Sequence, residues 1–115
     1  MSDSVLRDKS FAFALQIVKL YKHLMSEHKE FVLSKQVLRS GTSIGANIEE
    51  AKHGQSRIDF VHKLSIAQKE ASETNYWIRL LTESDYLGEK PSKSLLADCE
   101  ELQRMLTASI KTAKK

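Results

Sequence analysis

Polar residues at helical spacing are the strongest candidates for chemistry in this sequence. Four of them follow one another at steps of four, four and three, so a helix would place them on one face: Arg39, Ser43, Asn47 and Glu50. Two carboxylates, Glu70 and Glu73, lie beside the apolar seam of a later segment. A pair of carboxylates can act as the acid and base of a hydrolase, whereas a guanidinium held by carboxylates fixes how two helices pack. We favour a structural polar network in which Arg39 pairs with one glutamate, and keep the hydrolase as an alternative.

Two groups of basic residues are candidates for contacts with a nucleic acid. Lys19 and Lys22 are close together in the first helical segment, and Lys52, His53 and Arg57 gather near a predicted turn. The chain carries a net charge of +3 and has a sequence pI of about 9.0. This mildly basic balance is compatible with RNA or DNA as a partner, because cations neutralise phosphates. The alternative is that each group is an ordinary solvated surface.

Other chemistries lack the residues that they need. None of the four histidines has a second histidine four residues away, so no metal site is expected. The sequence Gly41-x-x-x-Gly45 is not followed by the Gly-Lys-Ser or Gly-Lys-Thr of a phosphate loop. Cys99 falls on an apolar seam, which favours a buried hydrophobic role over a nucleophile. We therefore expect no catalytic residue, no cofactor and no enzymatic activity.

Two glycines, Gly41 and Gly45, lie in the segment from Arg39 to Glu50 that carries the polar residues. They raise the question of whether this segment is a continuous helix. Each glycine inside a helix costs about 1 kcal/mol relative to alanine. Close approach of a second helix would offset that cost, and a spacing of four places both glycines on one face. The alternative is a loop from Ser40 to Ser43. We favour the continuous helix, because its apolar stripe continues without a break past the positions of both glycines: Val37, Gly41, Ile44, Ile48 and Ala51.

Apolar residues at steps of three and four recur through the whole chain, which predicts an all-α fold. Short connections place successive helices antiparallel, so residues 1–115 are expected to form a single antiparallel up-down-up-down four-helix bundle. The predicted helices run from Val5 to Glu27, from Val32 or Ser34 to Gly54, from Ser56 to about Tyr86, and from about Ser94 onwards, after a connection from Glu89 that contains Pro91. Ser2 or Ser4 is expected to cap the first helix and Ser56 the third. Gly54 is expected to be a left-handed cap, Gly88 to stop the third helix, and Lys111 to Lys115 to be a frayed end.

The first helix has more apolar surface than one neighbouring helix would cover. A second apolar row runs beside its core row and contains Phe11, Ala14, Val18, Tyr21 and Met25. Either this helix is central to the bundle or part of it meets another subunit. The lone cysteine cannot form an internal disulfide, and we find no signal peptide and no apolar stretch long enough to span a membrane. A cytoplasmic location without membrane contact is therefore expected.

Two blocks of the sequence resemble a known bacterial family. The first is Arg39-Ser-Gly-Thr-Ser-Ile-Gly-Ala-Asn-Ile-Glu-Glu-Ala51, and the second is Asp59-Phe-Val-His-Lys-Leu-Ser-Ile-Ala-Gln-Lys-Glu-Ala71 with Glu73-Thr-Asn-Tyr-Trp77. They are similar to four-helix-bundle proteins named after the intervening sequences of 23S ribosomal RNA genes, where some members are encoded. This resemblance implies an antiparallel bundle that assembles into a toroidal homopentamer and has no known enzymatic activity.

The same family is similar to the accessory protein of diversity-generating retroelements, a basic pentamer that binds nucleic acid and a reverse transcriptase. The resemblance and the basic groups together predict a non-enzymatic, oligomeric four-helix bundle that binds RNA or another nucleic acid. The alternative is a structural or scaffolding module that binds a protein partner. The wide apolar surface of the first helix favours that alternative.

Overall fold

The computed structural model consists of four antiparallel helices. It describes residues 3–115, with side chains from Ser4 onwards. The helices are α1 (Asp3–Glu27), α2 (Leu33–Lys52), α3 (Arg57–Glu83) and α4 (Glu89–Ala113). Each helix packs along the two that flank it, and among the described residues the diagonal pairs, α1 with α3 and α2 with α4, have no Cα atoms within 8 Å of each other. The predicted all-α, four-helix fold is confirmed. We call the end with the α2–α3 turn the lower end, and the end with the other two connections the upper end.

The core is built from the apolar seams that the sequence predicts. In α2 the stripe of Val37, Gly41, Ile44, Ile48 and Ala51 is buried throughout. The helix passes without interruption through both glycines, so the loop interpretation of Ser40 to Ser43 is wrong. The first helix buries its core row of Phe13, Ile17, Leu20 and Leu24. In the described chain, no helix has the length and hydrophobicity needed to cross a bilayer.

Side chains cap the beginnings of α2 and α3. The Glu30 carboxylate accepts hydrogen bonds from the backbone N–H groups of Val32, at 3.2 Å, and Ser34, at 2.7 Å. The predicted cap of α3 is confirmed, because the Asp59 N–H donates to the Ser56 hydroxyl at 3.0 Å. These bonds satisfy donors that the first turn of a helix leaves without partners.

The ends of the helices differ from the prediction in which residue turns the chain. No described glycine has a positive φ, so the left-handed cap at Gly54 is wrong, and the left-handed residues are Lys29, with φ 52°, and Asp85, with φ 68°. At Asp85 the turn closes by a bond from the Tyr86 N–H to the Leu81 carbonyl at 2.9 Å. Such a bond satisfies a terminal carbonyl of the helix, which makes a non-glycine residue tolerable in the left-handed conformation.

Three predicted helix bounds also need correction. Helix α3 ends at Glu83, and Gly88 serves instead as the extended residue before α4. Helix α4 begins at Glu89, inside the predicted connection, because Pro91 fits its first turn. It continues to Ala113, so most of the predicted frayed end is helical. Ser4, one of the two predicted caps of α1, lies within that helix, and the other, Ser2, lies outside the described residues.

Candidate functional site

The face between α2 and α3 brings together the predicted charged residues. The Arg39 guanidinium lies 3.3 Å from a Glu70 carboxylate oxygen and forms a second, short ion pair with Glu73. The Glu73 carboxylate also accepts a hydrogen bond from the Trp77 indole N–H at 2.9 Å. Sequence analysis did not foresee this last bond, although the spacing of four between Glu73 and Trp77 was a usable signal.

This ion cluster lies at the surface and is not buried. The Arg39 side chain is 51% exposed, while those of Glu70 and Glu73 are 19% and 37% exposed. The hydrogen bonds from Trp77 and then Arg39 lower the pKa of Glu73, and the Glu73 bond raises the pKa of Arg39. A hydrolase needs a carboxyl group that keeps its proton near neutral pH. Glu73 is held in the ionised form, so the cluster suits an ion pair between helices better than acid–base catalysis.

The other three members of the predicted network share this face but do not join the Arg39 cluster. The Ser43 hydroxyl donates to the Arg39 carbonyl at 2.6 Å, and the Asn47 amide donates to the Ser43 carbonyl at 2.8 Å. Both bonds stay within α2. Glu50 forms a separate ion pair with Lys63 of α3 at 3.1 Å. The face therefore carries two ion clusters separated by two small side chains, Ser43 and Asn47.

Both glycines of α2 face α1, at different distances. A Cβ atom added to Gly41 would lie 2.7 Å from Cγ1 and 2.9 Å from Cγ2 of Ile17. A Cβ atom added to Gly45 would lie 3.4 Å from the Ser10 hydroxyl, which is an ordinary contact. The tighter approach of α1 is therefore at Gly41, whose side of α2 is buried, while Gly45 is half-buried.

The predicted basic groups lie in different halves of the molecule. Lys52, His53 and Arg57 are at the lower end, whereas Lys19 and Lys22 are in the upper half of α1. Sequence analysis missed that α4 ends beside the first group, where the Arg57 guanidinium donates to the Lys115 carbonyl at 3.1 Å. We call the resulting set the basic end: Lys52, His53, Arg57, Lys111, Lys114 and Lys115. The part of the chain that the structure describes contains no cluster of three or more side chains fit to hold a metal.

The second apolar row of α1 is left on the outside of the bundle. Phe11 is 67% exposed and Leu15 is 51% exposed, and Ala14 and Val18 beside them are half-buried. We call these four residues the α1 patch. The residues that precede and follow the patch along this side of α1 contact α2. Arg7 pairs with Glu49 at 2.9 Å, and the Met25 sulfur accepts a hydrogen bond from the Ser34 hydroxyl. Contiguous exposed apolar surface marks interaction sites in soluble proteins.

Comparisons with known proteins agree with this architecture. Residues 2–108 match the family model described as 23S rRNA-intervening sequence protein. A crystal structure at 1.70 Å of a protein of unknown function from the S23 ribosomal protein family of Bacteroides thetaiotaomicron is similar to this chain. The two share 54% sequence identity with a TM-score of 0.95, over 96% of this chain and 99% of that one. No curated protein matches the sequence.

Proposed function

Because this chain belongs to the family of 23S rRNA-intervening sequence proteins, we propose that it is a non-enzymatic, homo-oligomeric bundle that binds RNA or another nucleic acid. The observation that supports nucleic-acid binding is the basic end, where the bond from Arg57 to Lys115 joins the α2–α3 turn to the lysines of α4. Phosphate contacts of this kind depend on charge and not on base sequence.

For the assembly we propose the homopentamer that the family resemblance implies, in the cytoplasm. The α1 patch supports self-association, because a second copy would remove Phe11 and Leu15 from water. An assembly repeats the basic end once in each copy, and linked weak sites bind with higher avidity than one site. Light scattering after size exclusion should give five times the 13.1 kDa of the chain. A monomer at every tested concentration would refute self-association.

Nucleic-acid binding is tested by a mobility shift with structured ribosomal RNA over a salt series. We expect the logarithm of the association constant to fall linearly with the logarithm of the salt concentration. In the variant Lys52→Gln/Arg57→Gln, affinity should fall and the slope should become shallower by about 1–2, since each lost phosphate contact removes about 0.7–0.9.

The matched control removes two charges at the opposite end of the bundle. In Lys90→Gln/Lys93→Gln, both changed side chains are exposed, and the pair of Lys93 with Glu89 is too exposed to add much stability. Binding of the control should match that of the wild type. Absence of any binding at low salt, or equal loss in both variants, would contradict RNA binding through the basic end.

A scaffolding role is the second candidate, because a different protein would also cover the α1 patch. Affinity capture from the native host, with and without nuclease, separates the two functions. A partner that survives nuclease treatment and is lost from the variant Phe11→Lys/Leu15→Lys would support the scaffold. Capture that disappears with nuclease would support binding of nucleic acid.

A further inference from the structure

A cavity lies on the outer side of the α2–α3 turn, next to the basic end. Its volume is about 850 Å³, within the range of ligand sites, about 300–1,000 Å³. His53 and Gln55 of the turn line it together with Ile58 and His62 of α3. We call it the turn cavity. It adjoins the basic end directly, because His53 belongs to both and Arg57 precedes Ile58 in the chain.

One wall of the turn cavity exposes an apolar side chain and an imidazole ring. Ile58 is 83% exposed, although isoleucine is among the residues most often buried. His62 follows four residues later, so the two side chains lie on the same side of α3. Among the residues that the structure describes, neither the Gln55 amide nor the His62 ring has a hydrogen-bond partner. The wall therefore offers the contacts that hold an unstacked base in RNA-binding proteins, which are stacking surfaces and free hydrogen-bonding groups.

The charges that line the turn cavity differ from those of the basic end. The carboxylates of Glu49, Glu50 and Asp59 line it together with the ammonium group of Lys63, which pairs with Glu50 at 3.1 Å. Because the carboxylates are in excess and like charges repel, this lining disfavours a phosphate. Carboxylates can instead accept hydrogen bonds from the amino groups on the edge of a base. The cavity thus suits an uncharged base, while the adjoining basic end suits the phosphates.

We propose that the turn cavity binds one unpaired base of the RNA whose phosphates contact the basic end. This inference rests on the proposed nucleic-acid binding and adds the class of RNA, one with unpaired nucleotides in a loop, a bulge or a single strand. In a paired helix the bases are stacked, so none can enter a protein cavity without leaving the helix. Arg57 links the two surfaces, because its guanidinium donates to the Lys115 carbonyl while the next residue, Ile58, lines the cavity.

The test compares an RNA hairpin that has an unpaired loop with a blunt RNA duplex that has the same number of phosphates. Fluorescence anisotropy at pH 8 and one salt concentration gives both dissociation constants. The wild type should bind the hairpin more tightly by on the order of 10-fold, a usual effect of one stacked base. The variant Ile58→Ala/His62→Ala should bind the hairpin only as tightly as the duplex. Its salt dependence should match that of the wild type, because neither changed residue is a lysine or an arginine.

Two control variants separate the base contact from charge and from folding. Val32→Ala/His28→Ala truncates an exposed aliphatic side chain and an exposed imidazole at the upper end, and it should keep the preference for the hairpin. Lys52→Gln/Arg57→Gln should weaken the binding of both RNAs by the same factor and therefore keep the preference as well. Circular dichroism should show the wild-type helix content in all three variants.

Photocrosslinking locates the base without any substitution in the protein. A 4-thiouridine placed in the loop should crosslink to a peptide from residues 53–63, whereas a 4-thiouridine in the stem should not. Loop crosslinks confined to other peptides, or no more frequent than those of the stem, would overturn the inference.

The binding results distinguish failure of the base contact from failure of the proposed function. If the wild type binds neither RNA at low salt, nucleic-acid binding fails, and the base contact fails with it. Equal affinity for the hairpin and the duplex would overturn only the base contact and leave the basic end as an RNA-binding surface. A preference that survives in Ile58→Ala/His62→Ala, or that is lost equally in Val32→Ala/His28→Ala, would also overturn the base contact in the turn cavity.

Discussion

Alanine at Gly41 should destabilise the fold, while alanine at Gly45 in the same helix should stabilise it. A new Cβ atom at Gly41 would lie within 3.0 Å of two carbon atoms of Ile17, and Ile17 is completely buried. Carbon atoms in contact prefer about 3.5–4.0 Å, so Ile17 or the α1 backbone must move. At Gly45 the nearest atoms belong to Ser10 and already lie at contact distance.

The expected changes in the free energy of unfolding combine two opposing effects, helix propensity and overpacking. Both substitutions gain about 1 kcal/mol of helix propensity. Gly41→Ala also suffers overpacking, which costs about 1–3 kcal/mol, so its net effect is a loss of about 1 kcal/mol. Gly45→Ala should keep most of its gain. The melting temperatures of the two variants should therefore differ by on the order of 5–10 °C.

A double-mutant cycle with Ile17→Ala checks the stated cause. That change removes the three atoms nearest to the new Cβ, and alone it should cost about 2–5 kcal/mol. The double variant should be more stable than the sum of the single effects by about 1–3 kcal/mol. Urea unfolding at one fixed protein concentration measures this, since assembly would otherwise shift the apparent stability. Additive effects, or equal stability of Gly41→Ala and Gly45→Ala, would refute the account of close packing.

Three further predictions concern the helix ends, the cysteine and the ion cluster. Asp85→Gly should raise the free energy of unfolding by about 0.5–1 kcal/mol, because φ is positive there, and Ser84→Gly should not. Cys99 should resist alkylation in the native protein at pH 8, since burial raises its pKa to about 12, and it should react once urea unfolds the chain. The folded-state pKa of Glu73 is lowered, so the stability that it adds is present above its ordinary pKa of 4.5 and lost as the pH falls through the folded value. Urea titrations from pH 6 to pH 3 should show this loss in the wild type and a smaller loss in Glu73→Gln.

The helices could be predicted from the sequence because burial repeats with the period of the helix. Steps of four and three identify the seam of Leu64, Ala67, Ala71, Thr74 and Ile78 without any knowledge of tertiary structure, and all five are buried. The helix ends could not be predicted in the same way. Glycine is the usual sign of a left-handed residue, yet Lys29 and Asp85 adopt that conformation here. A local bond at each helix end holds them in place, from the Glu30 N–H to the Leu24 carbonyl and from the Tyr86 N–H to the Leu81 carbonyl, and the periodicity of apolar residues does not reveal such bonds.

The candidate sites were predictable only where local spacing decides the contact. Arg39, Glu70 and Glu73 meet because each lies on the edge of its helix that faces the other helix. Spacing did not reveal that the Ser43 hydroxyl bonds within its own helix. A serine in a helix can donate to the carbonyl one turn back as readily as to a side chain of a neighbouring helix. It also did not indicate that Lys115 reaches the beginning of α3, since that proximity depends on where α4 ends in the folded bundle.

The small residues of α2 have different consequences on its two sides. On the side that faces α1, Gly41 and Gly45 allow another helix of the same chain to approach closely. On the opposite side, Ser43 and Asn47 each donate a hydrogen bond to a backbone carbonyl one turn back in α2. Close packing within the chain therefore explains Gly41, whereas a Cβ atom added at Gly45 would make only an ordinary contact with Ser10.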